Sequence, residues 1–326
     1  MERKKMFEII NYLSLISRGG GGGTSPPQPM ETPEEFQQRY DEAYDNLVNA
    51  KRITDRNITN MFSKPQVKRL LDVMLNENIH YVGHNQKAIM FEERTLLPDG
   101  TENVTDINIS IASFKQMDKK NSITSLEDLM ETYYDVPLYQ RQFASAVNFG
   151  TIDKFQRGDP NGGLYEPFSK TVCVNATLLT NEYGNTKEWA QLTLYHEFTH
   201  ATDFNVPHPH TFLSGVSTTS NKFKNIMENS WASSYSESYK KGTNRWYQES
   251  LAEAVAYTKQ ANVLGGNNVY VYRPDIRDGK VYAGERITYN QWKSENSELA
   301  KFASDYVKCK NTNDLQKLFG NLEQTY

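Results

Sequence analysis

Two histidines four residues apart, with a glutamate directly after the first, constrain the fold more than any other feature. The stretch Tyr195–Asp203 reads YHEFTHATD, so the pair is His196 and His200 and the glutamate is Glu197. Four residues make about one turn of an α-helix, so both imidazoles would project from one face and could share one ion. On a strand the two residues would lie about 13 Å apart. The motif therefore predicts a helix.

Flanking residues predict where this helix begins. Asn185–Glu188 (NTKE) has the form of a capping box, with Asn at the cap and Glu three residues later. Upstream, Ser169–Leu179 (SKTVCVNATLL) is rich in β-branched residues and predicts a strand. We therefore expect a strand followed by a capped helix that carries HEFTH.

The chemistry of the motif favours zinc. Neutral imidazole nitrogens bind Zn²⁺, and Glu197 lies one residue round the helix from His196. From there its carboxylate can reach a metal-bound water without entering the ligand set, as a general base must. A catalytic zinc also needs a third protein ligand and an open coordination position. We expect one Zn²⁺ per chain.

The third ligand is expected from Trp246–Tyr257, which has a helical pattern. Glu249 and Glu253 lie one turn apart on one face of that helix, and we assign Glu249 to the metal. Glu253 then falls where its carboxylate can accept the remaining ring N–H of a ligating histidine, which fixes the tautomer. Asp203, three residues after His200, is a second candidate for this role.

Other histidines are weaker candidates for the metal. His208-Pro209-His210 could offer nitrogen, but it lies in a turn bounded by proline. His80 and His84 share the four-residue spacing, but they lack the intervening glutamate and fall in a strand-like stretch. We expect this second pair to be structural.

The two motifs together, HEFTH at 196–200 and ESLAEA at 249–254, resemble the anthrax lethal factor family of gluzincin metallopeptidases, which includes the bacterial Pro-Pro endopeptidases. The resemblance covers about residues 165–260 and implies a zinc-dependent endopeptidase acting on a protein substrate. It also implies that Glu249 binds zinc and that a preceding tyrosine hydrogen-bonds the oxyanion. Tyr239 is the favoured position for this tyrosine, and Tyr247 is the alternative.

The fold expected from these features is α+β. A mostly helical, zincin-like metallopeptidase domain at 136–326 would contain a small mixed sheet, whose edge strand directly precedes the metal-binding helix. We expect the strand Lys170–Leu179 to be that edge and to bind the substrate peptide as an additional strand. Residues 30–135 would form an N-terminal mixed α/β recognition region, and 1–29 a helix-like tail with a Gly/Pro linker.

Patterns within the N-terminal region predict several elements. Helices are expected over about 33–50 and 67–75. The remaining expectations are strands over Ile79–Phe91 and Asn103–Phe114, a turn at Pro98-Asp99-Gly100 and a helix over Ser125–Tyr134.

Composition excludes several other functions. The net charge is −4, with 36 basic and 40 acidic residues and no long basic run, so we expect no nucleic-acid partner. No stretch approaches the roughly eighteen uninterrupted apolar residues of a membrane span. Residues 1–17 begin like a secretory signal, but Glu8, Asn11 and Ser14 interrupt the apolar part, so we expect no such signal, although the family resemblance favours a secreted toxin or a surface-protein protease. Cys173 and Cys309 are expected to be buried thiols rather than one bridge.

Two other classes of function compete with a protease. One is a non-catalytic binding module that keeps zinc for structure, although a structural site has no use for a base at Glu197. The other is a structural or interaction protein of a mobile element, in which the tail and linker at 1–29 are the working parts.

Overall fold

The protein is described by a computed structural model. It describes residues 79–84, 88–97, 100–110, 126–150, 162–175, 186–206 and 221–322. Several predictions fall outside these ranges: those for residues 1–78, for Pro98-Asp99, for the caps Ser125 and Asn185, and for His208-Pro209-His210.

The described residues divide into two compact units. The smaller unit contains those within 79–84 and 90–104, and the larger unit contains 88–89 and those within 105–322. The domain boundary predicted at residue 136 falls inside the larger unit.

The smaller unit contains two neighbouring strands, β1 (Ile79–His84) and most of β2 (Ala88–Leu96). The sequence predicted one strand across Ile79–Phe91, where the structure has two. His80 and His84 both lie on β1, which confirms that this pair is in a strand.

The larger unit is a mixed α/β structure, which confirms the general fold class. Its strands are β3 (Glu102–Ser110, which begins in the smaller unit), β4 (Ala146–Phe149), β5 (Gly163–Glu166), β6 (Thr171–Val174), β7 (Tyr270–Arg277) and β8 (Lys280–Thr288). Its described residues form nine helices: α1 (Leu126–Tyr134), α2 (Leu138–Arg141), α3 (Thr186–Asn205), α4 (Asn221–Glu228), α5 (Ser234–Glu237), α6 (Asn244–Leu264), α7 (Tyr289–Glu295), α8 (Ser297–Lys308) and α9 (Thr312–Gly320).

The sheet of the larger unit has the order β3-β4-β6-β5 among the described strands. Strands β3, β4 and β6 are parallel, and β5 runs antiparallel to β6. The predicted edge strand is therefore wrong: β6, which precedes α3, lies inside the sheet, and β5 forms the edge. The chain reverses after β5 through a turn in which Lys170 has a φ of 49°, and this returns β6 between β5 and β4. All four side chains of β6 are buried, as expected of an interior strand.

Helix α3 confirms the helix predicted for HEFTH, and it lies in the interior. Every side chain from Thr193 to Asp203 is buried, and the helix packs against β5, β6 and α6. The hydroxyl groups of Thr199 and Thr202 donate to backbone carbonyls one turn earlier, at 2.7 and 2.6 Å. These bonds satisfy two buried polar groups that would otherwise cost free energy.

Helix α6 contains the predicted segment Trp246–Tyr257 and extends beyond it at both ends. Thr243 caps its first turn, because its side-chain oxygen accepts a hydrogen bond from the backbone N–H of Trp246. Gly265 ends the helix with a φ of 84°, a conformation that favours glycine. The helix packs in an aromatic core with Phe223, Trp292, Phe302, Tyr306 and Phe319.

Strands β7 and β8 form an antiparallel hairpin that the sequence reading missed. Its turn is Asp278-Gly279, and both residues have positive φ, 51° and 72°. An Asp-Gly pair between two β-rich runs is a strong hairpin signal, because this turn type requires positive φ at both positions. The signal was therefore present in the sequence.

The prediction of two buried thiols is confirmed. Cys173 and Cys309 are both buried, and no disulfide joins them. None of the described helices has the length and apolar character needed to span a membrane.

A lysine whose ammonium nitrogen is buried lies between α6 and α3. The Nζ atom of Lys259 is 4.0 Å from the ring centroid of Tyr195, and it has no hydrogen-bond partner among the residues that the structure describes. Burial lowers the pKa of Lys259 to about 7. The negative charge of Asp135 raises this pKa, and the positive charge of Arg141 lowers it further. The ammonium ion therefore costs free energy, because its lost hydration is not replaced by hydrogen bonds.

Lys259→Met is expected to stabilise the fold by about 1 to 3 kcal/mol near neutral pH, since it removes a buried charge that has no hydrogen-bond partner among the described residues. Below pH 7 Lys259 is protonated in both the folded and the unfolded protein, so its burial lowers the free energy of unfolding by the full amount. Between its folded pKa of about 7 and the usual 10.5, the unfolded chain binds more protons, so wild-type stability rises with pH. The stability gained by Lys259→Met should therefore be larger at about pH 6 than at about pH 9. Urea unfolding of both proteins at the two pH values measures this difference.

Lys301→Met is the matched control, because Lys301 is exposed on α8. Its effect on the free energy of unfolding should stay within about 0.5 kcal/mol at either pH. A Lys259 variant that is less stable than wild type at the lower pH would contradict the cost assigned to this ammonium ion.

Candidate metal centre

Three potential metal ligands meet where α3 packs against α6. His196 and His200 come from α3 and Glu249 comes from α6, and all three side chains are buried. The two histidine Nε2 atoms are 3.0 Å apart, and Oε2 of Glu249 lies 3.1 Å from Nε2 of His196 and 3.5 Å from Nε2 of His200. These residues can hold a metal ion, which agrees with the sequence prediction for them.

The spacing of these atoms fits one ion bound by all three. Ligand atoms about 2.0 to 2.1 Å from a tetrahedral ion lie roughly 3.3 Å apart, close to the observed 3.0 to 3.5 Å. Without a cation, the lone pairs of two neutral imidazoles and a carboxylate would repel each other at these distances. The geometry therefore suits a divalent metal ion.

Glu253 orients His196, as the sequence reading proposed. Its Oε1 lies 3.2 Å from Nδ1 of His196, so the ring N–H donates there and Nε2 keeps its lone pair for the metal. Glu253 also hydrogen-bonds Tyr257, and burial together with this carboxylate raises the pKa of that tyrosine well above its usual value. The Tyr257 hydroxyl therefore keeps its proton and donates to Glu253, which steadies the carboxylate.

The electrostatic balance of the centre favours positive charge. Burial alone would lower the pKa of His196, but its hydrogen bonds to Glu249 and Glu253 raise that pKa well above the usual value. Burial alone would raise the pKa of Glu249, but its hydrogen bonds with His196 and His200 lower it far below the usual range. A proton or a metal ion is therefore held tightly here, and binding of the metal releases protons.

Glu197 lies beside the centre and against the edge strand. Its carboxyl group is buried, which raises its pKa, while the nearby His196 and His200 lower it. A Cβ atom added to Gly163 of β5 would lie only 2.8 Å from Oε1 of Glu197. Only glycine allows β5 to approach α3 this closely, so the edge strand and the candidate base lie in direct contact.

Two tyrosines and an arginine also lie close to the ligands. The Tyr235 ring is 6.4 Å from the His196 ring, and the hydroxyl groups of Tyr235 and Tyr239 are 3.1 Å apart. Burial, the charge of Glu249 and the contact with Tyr239 raise the pKa of Tyr235, so its hydroxyl keeps its proton. Arg245 contacts both Glu249, at 2.6 Å, and the face of the Tyr239 ring.

The alternative tyrosine of the sequence reading points elsewhere. Tyr247 donates a 2.5 Å hydrogen bond to Glu228 and packs against Trp246 in the aromatic core. Asp203 is buried on α3, and its charge acts on Tyr306 of α8. An orienting contact from Asp203 to a histidine ring stays a prediction.

Three residues of this region were missed from the sequence: Gly163, Tyr235 and Arg245. Tyr235 lies on the short helix α5, which Ser233 caps, and Tyr239 follows the end of this helix four residues later, with the two rings in contact. Arg245 likewise precedes Glu249 by four residues on α6. Both spacings were visible as helical neighbours, whereas the close approach of Gly163 depends on the packing of β5 on α3.

No protein-family model, curated protein or solved structure matches this chain.

Glu249→Gln is expected to abolish tight binding of a divalent metal, because an amide oxygen lacks the charge that balances the ion. Glu253→Gln should lower the affinity by about 10- to 100-fold, as for other residues that orient a ligating histidine. Competition with a chromophoric chelator measures both dissociation constants.

Glu237→Gln is a suitable control, since Glu237 accepts a hydrogen bond from Trp246 rather than facing the ligands. Its metal affinity should match the wild type. Equal and negligible effects of the Glu249 and Glu253 substitutions would disprove the ligand assignment.

Proposed function

We propose that the protein is a zinc-dependent endopeptidase of the gluzincin class, with a zincin-like catalytic domain. The observation that carries this proposal is the convergence of His196, His200 and Glu249 on one point, with Glu197 beside them. Two imidazoles and one carboxylate form a ligand set typical of catalytic zinc, which leaves a coordination position for solvent.

The resemblance of the HEFTH and ESLAEA motifs to the lethal factor family also supports this proposal. On that basis we propose a protein substrate, and a role as a secreted toxin or surface-protein protease. A structural zinc site fits less well, because it would have no use for a buried carboxyl group at Glu197.

The edge strand β5 provides a place for the substrate. Asn175 donates to the carbonyl of Gly162, so in this antiparallel pair the backbone groups of Gly163 and Tyr165 face away from β6. A peptide in extended conformation can pair with these groups as an additional strand. Because Gly163 touches Glu197, the peptide would be held next to the base.

The zinc ion and Glu197 would have separate roles in the proposed hydrolysis. Bound zinc would lower the pKa of a water molecule and polarise the scissile carbonyl group. Glu197 takes a proton from the attacking water and returns it to the leaving amine. Its pKa, raised by burial, suits a group that must both accept and donate a proton.

Tyr235 is the better placed of the two tyrosines to stabilise the oxyanion. Arg245 forms a hydrogen bond with Tyr239, and because a guanidinium group only donates, the Tyr239 oxygen accepts it. The proton of Tyr239 is then available for the Tyr235 oxygen, 3.1 Å away. This leaves the Tyr235 hydroxyl to donate to the substrate, with Tyr239 holding it in place.

Glu197→Gln is expected to lower kcat by about 10²- to 10⁴-fold, because it removes the base and keeps the shape of the side chain. Zinc content should stay at one per chain, since Glu197 is not a ligand. Cleavage of a peptide library, together with metal analysis, measures both quantities.

Glu188→Gln, on the first turn of the same helix, is the matched control and should retain wild-type cleavage. A wild-type protein that binds zinc and cleaves no peptide in the library would overturn the proposed activity and favour a zinc-containing binding module.

Tyr235→Phe is expected to lower kcat by about 10²- to 10³-fold with little change in KM, as for loss of one oxyanion donor. Tyr239→Phe should have a smaller effect, because it loosens Tyr235 without removing the donor. Steady-state kinetics on one cleaved peptide compare the two variants.

Tyr247→Phe is the matched control, because it removes a tyrosine hydroxyl group in the aromatic core rather than beside the ligands. It should lower the free energy of unfolding by removing the hydrogen bond to Glu228, and it should leave kcat unchanged. A larger loss of kcat in Tyr239→Phe than in Tyr235→Phe would reverse the assignment of the donor.

A further inference from the structure

The two oxygens of the Glu249 carboxylate have different partners. Oε2 faces the Nε2 atoms of His196 and His200, at 3.1 and 3.5 Å. Oε1 lies 2.6 Å from Nη2 of Arg245, one turn earlier on α6. One oxygen of the carboxylate thus contacts the two histidines, and the other contacts Arg245 of the same helix.

Arg245 is held in the position that this contact requires. Its guanidinium carbon lies 5.3 Å from the centroid of the Tyr239 ring, a distance typical of a cation–π contact. It also forms a hydrogen bond with the Tyr239 side chain. The arginine side chain is 55% exposed, whereas that of Glu249 is 1% exposed. The guanidinium group therefore lies between the buried carboxylate and solvent.

We infer that Arg245 is a positioning residue that reserves Oε1 of Glu249, so that this carboxylate offers a bound metal only Oε2. A carboxylate that binds through both oxygens occupies two coordination positions instead of one. The contact with Arg245 therefore preserves the open position that hydrolysis requires, and only this last consequence rests on the proposed function.

The contact between Arg245 and Oε1 of Glu249 is energetically favourable. A buried carboxylate oxygen without a partner has a high free energy. Arg245 supplies a charge-assisted hydrogen bond to Oε1 at 2.6 Å. With a neutral residue in place of Arg245, the strongest cation within reach of Oε1 would be the metal itself, so the carboxylate would turn to bind through both oxygens.

Arg245→Gln tests this inference in the protein loaded with Co²⁺, whose visible absorption reports the number of ligands. Wild type should show the intense bands of a four-coordinate ion. In the variant the bands should weaken several-fold as the coordination number rises, while one Co²⁺ per chain is retained. For the zinc form, kcat should fall by about 10- to 100-fold with KM nearly unchanged.

Arg245→Lys provides the rescue, since an ammonium group can still donate one hydrogen bond to Oε1. It should restore part of the wild-type Co²⁺ spectrum. Lys240→Gln is the matched control, because it removes one positive charge from the exposed segment before α6. Its spectrum should be identical to that of wild type.

Two results would overturn the inference. One is a Co²⁺ spectrum that does not change in Arg245→Gln. The other is loss of Co²⁺ binding in both Arg245 variants, because the arginine would then be needed to form the site rather than to select one oxygen. The spectrum does not depend on cleavage, so a protein without peptidase activity would disprove the proposed function and leave this test intact.

Discussion

Close approach of three electron-rich atoms is the constraint on which the rest of the structure depends. Nitrogen lone pairs of His196 and His200 and a carboxylate oxygen of Glu249 lie within 3.5 Å of one another in a buried place. Low local polarity strengthens their repulsion, and it equally strengthens their attraction to a cation. The packing of α3 against α6 must therefore hold these atoms in place together with a bound proton or metal ion, which turns the repulsion into attraction.

Contacts along the two helices away from the ligands contribute to that packing. Gln260 of α6 donates a 2.6 Å hydrogen bond to the backbone carbonyl of Glu188 in the first turn of α3. Further along, Lys259 lies over the ring of Tyr195 at a cost in free energy, as its lowered pKa indicates. The packing of the two helices thus combines an unfavourable buried charge with stabilising contacts, which include the aromatic core around Trp246.

Two of the three candidate ligands also contact a neighbour on the side away from the others. Glu253 contacts the far nitrogen of His196, and Arg245 contacts the far oxygen of Glu249, so one atom of each of these two residues is left for a metal. Segments more distant in the chain surround these residues, with the edge strand β5 beside Glu197 and Tyr235 of α5 near the ring of His196. Helix α3 thus supplies His196, His200 and Glu197, whereas Glu249 comes from α6 and Tyr235 from α5.

The sequence by itself determined the residues that depend on spacing within one helix. His196 and His200, and likewise Glu249 and Glu253, lie on common faces because helical geometry relates residues four apart. The Asp278-Gly279 hairpin was equally readable, although it was missed. Only the tertiary structure decided that β5 rather than β6 is the edge, and that Tyr235 rather than Tyr247 faces the ligands. These outcomes depend on contacts between residues far apart in the chain, which local periodicity does not encode.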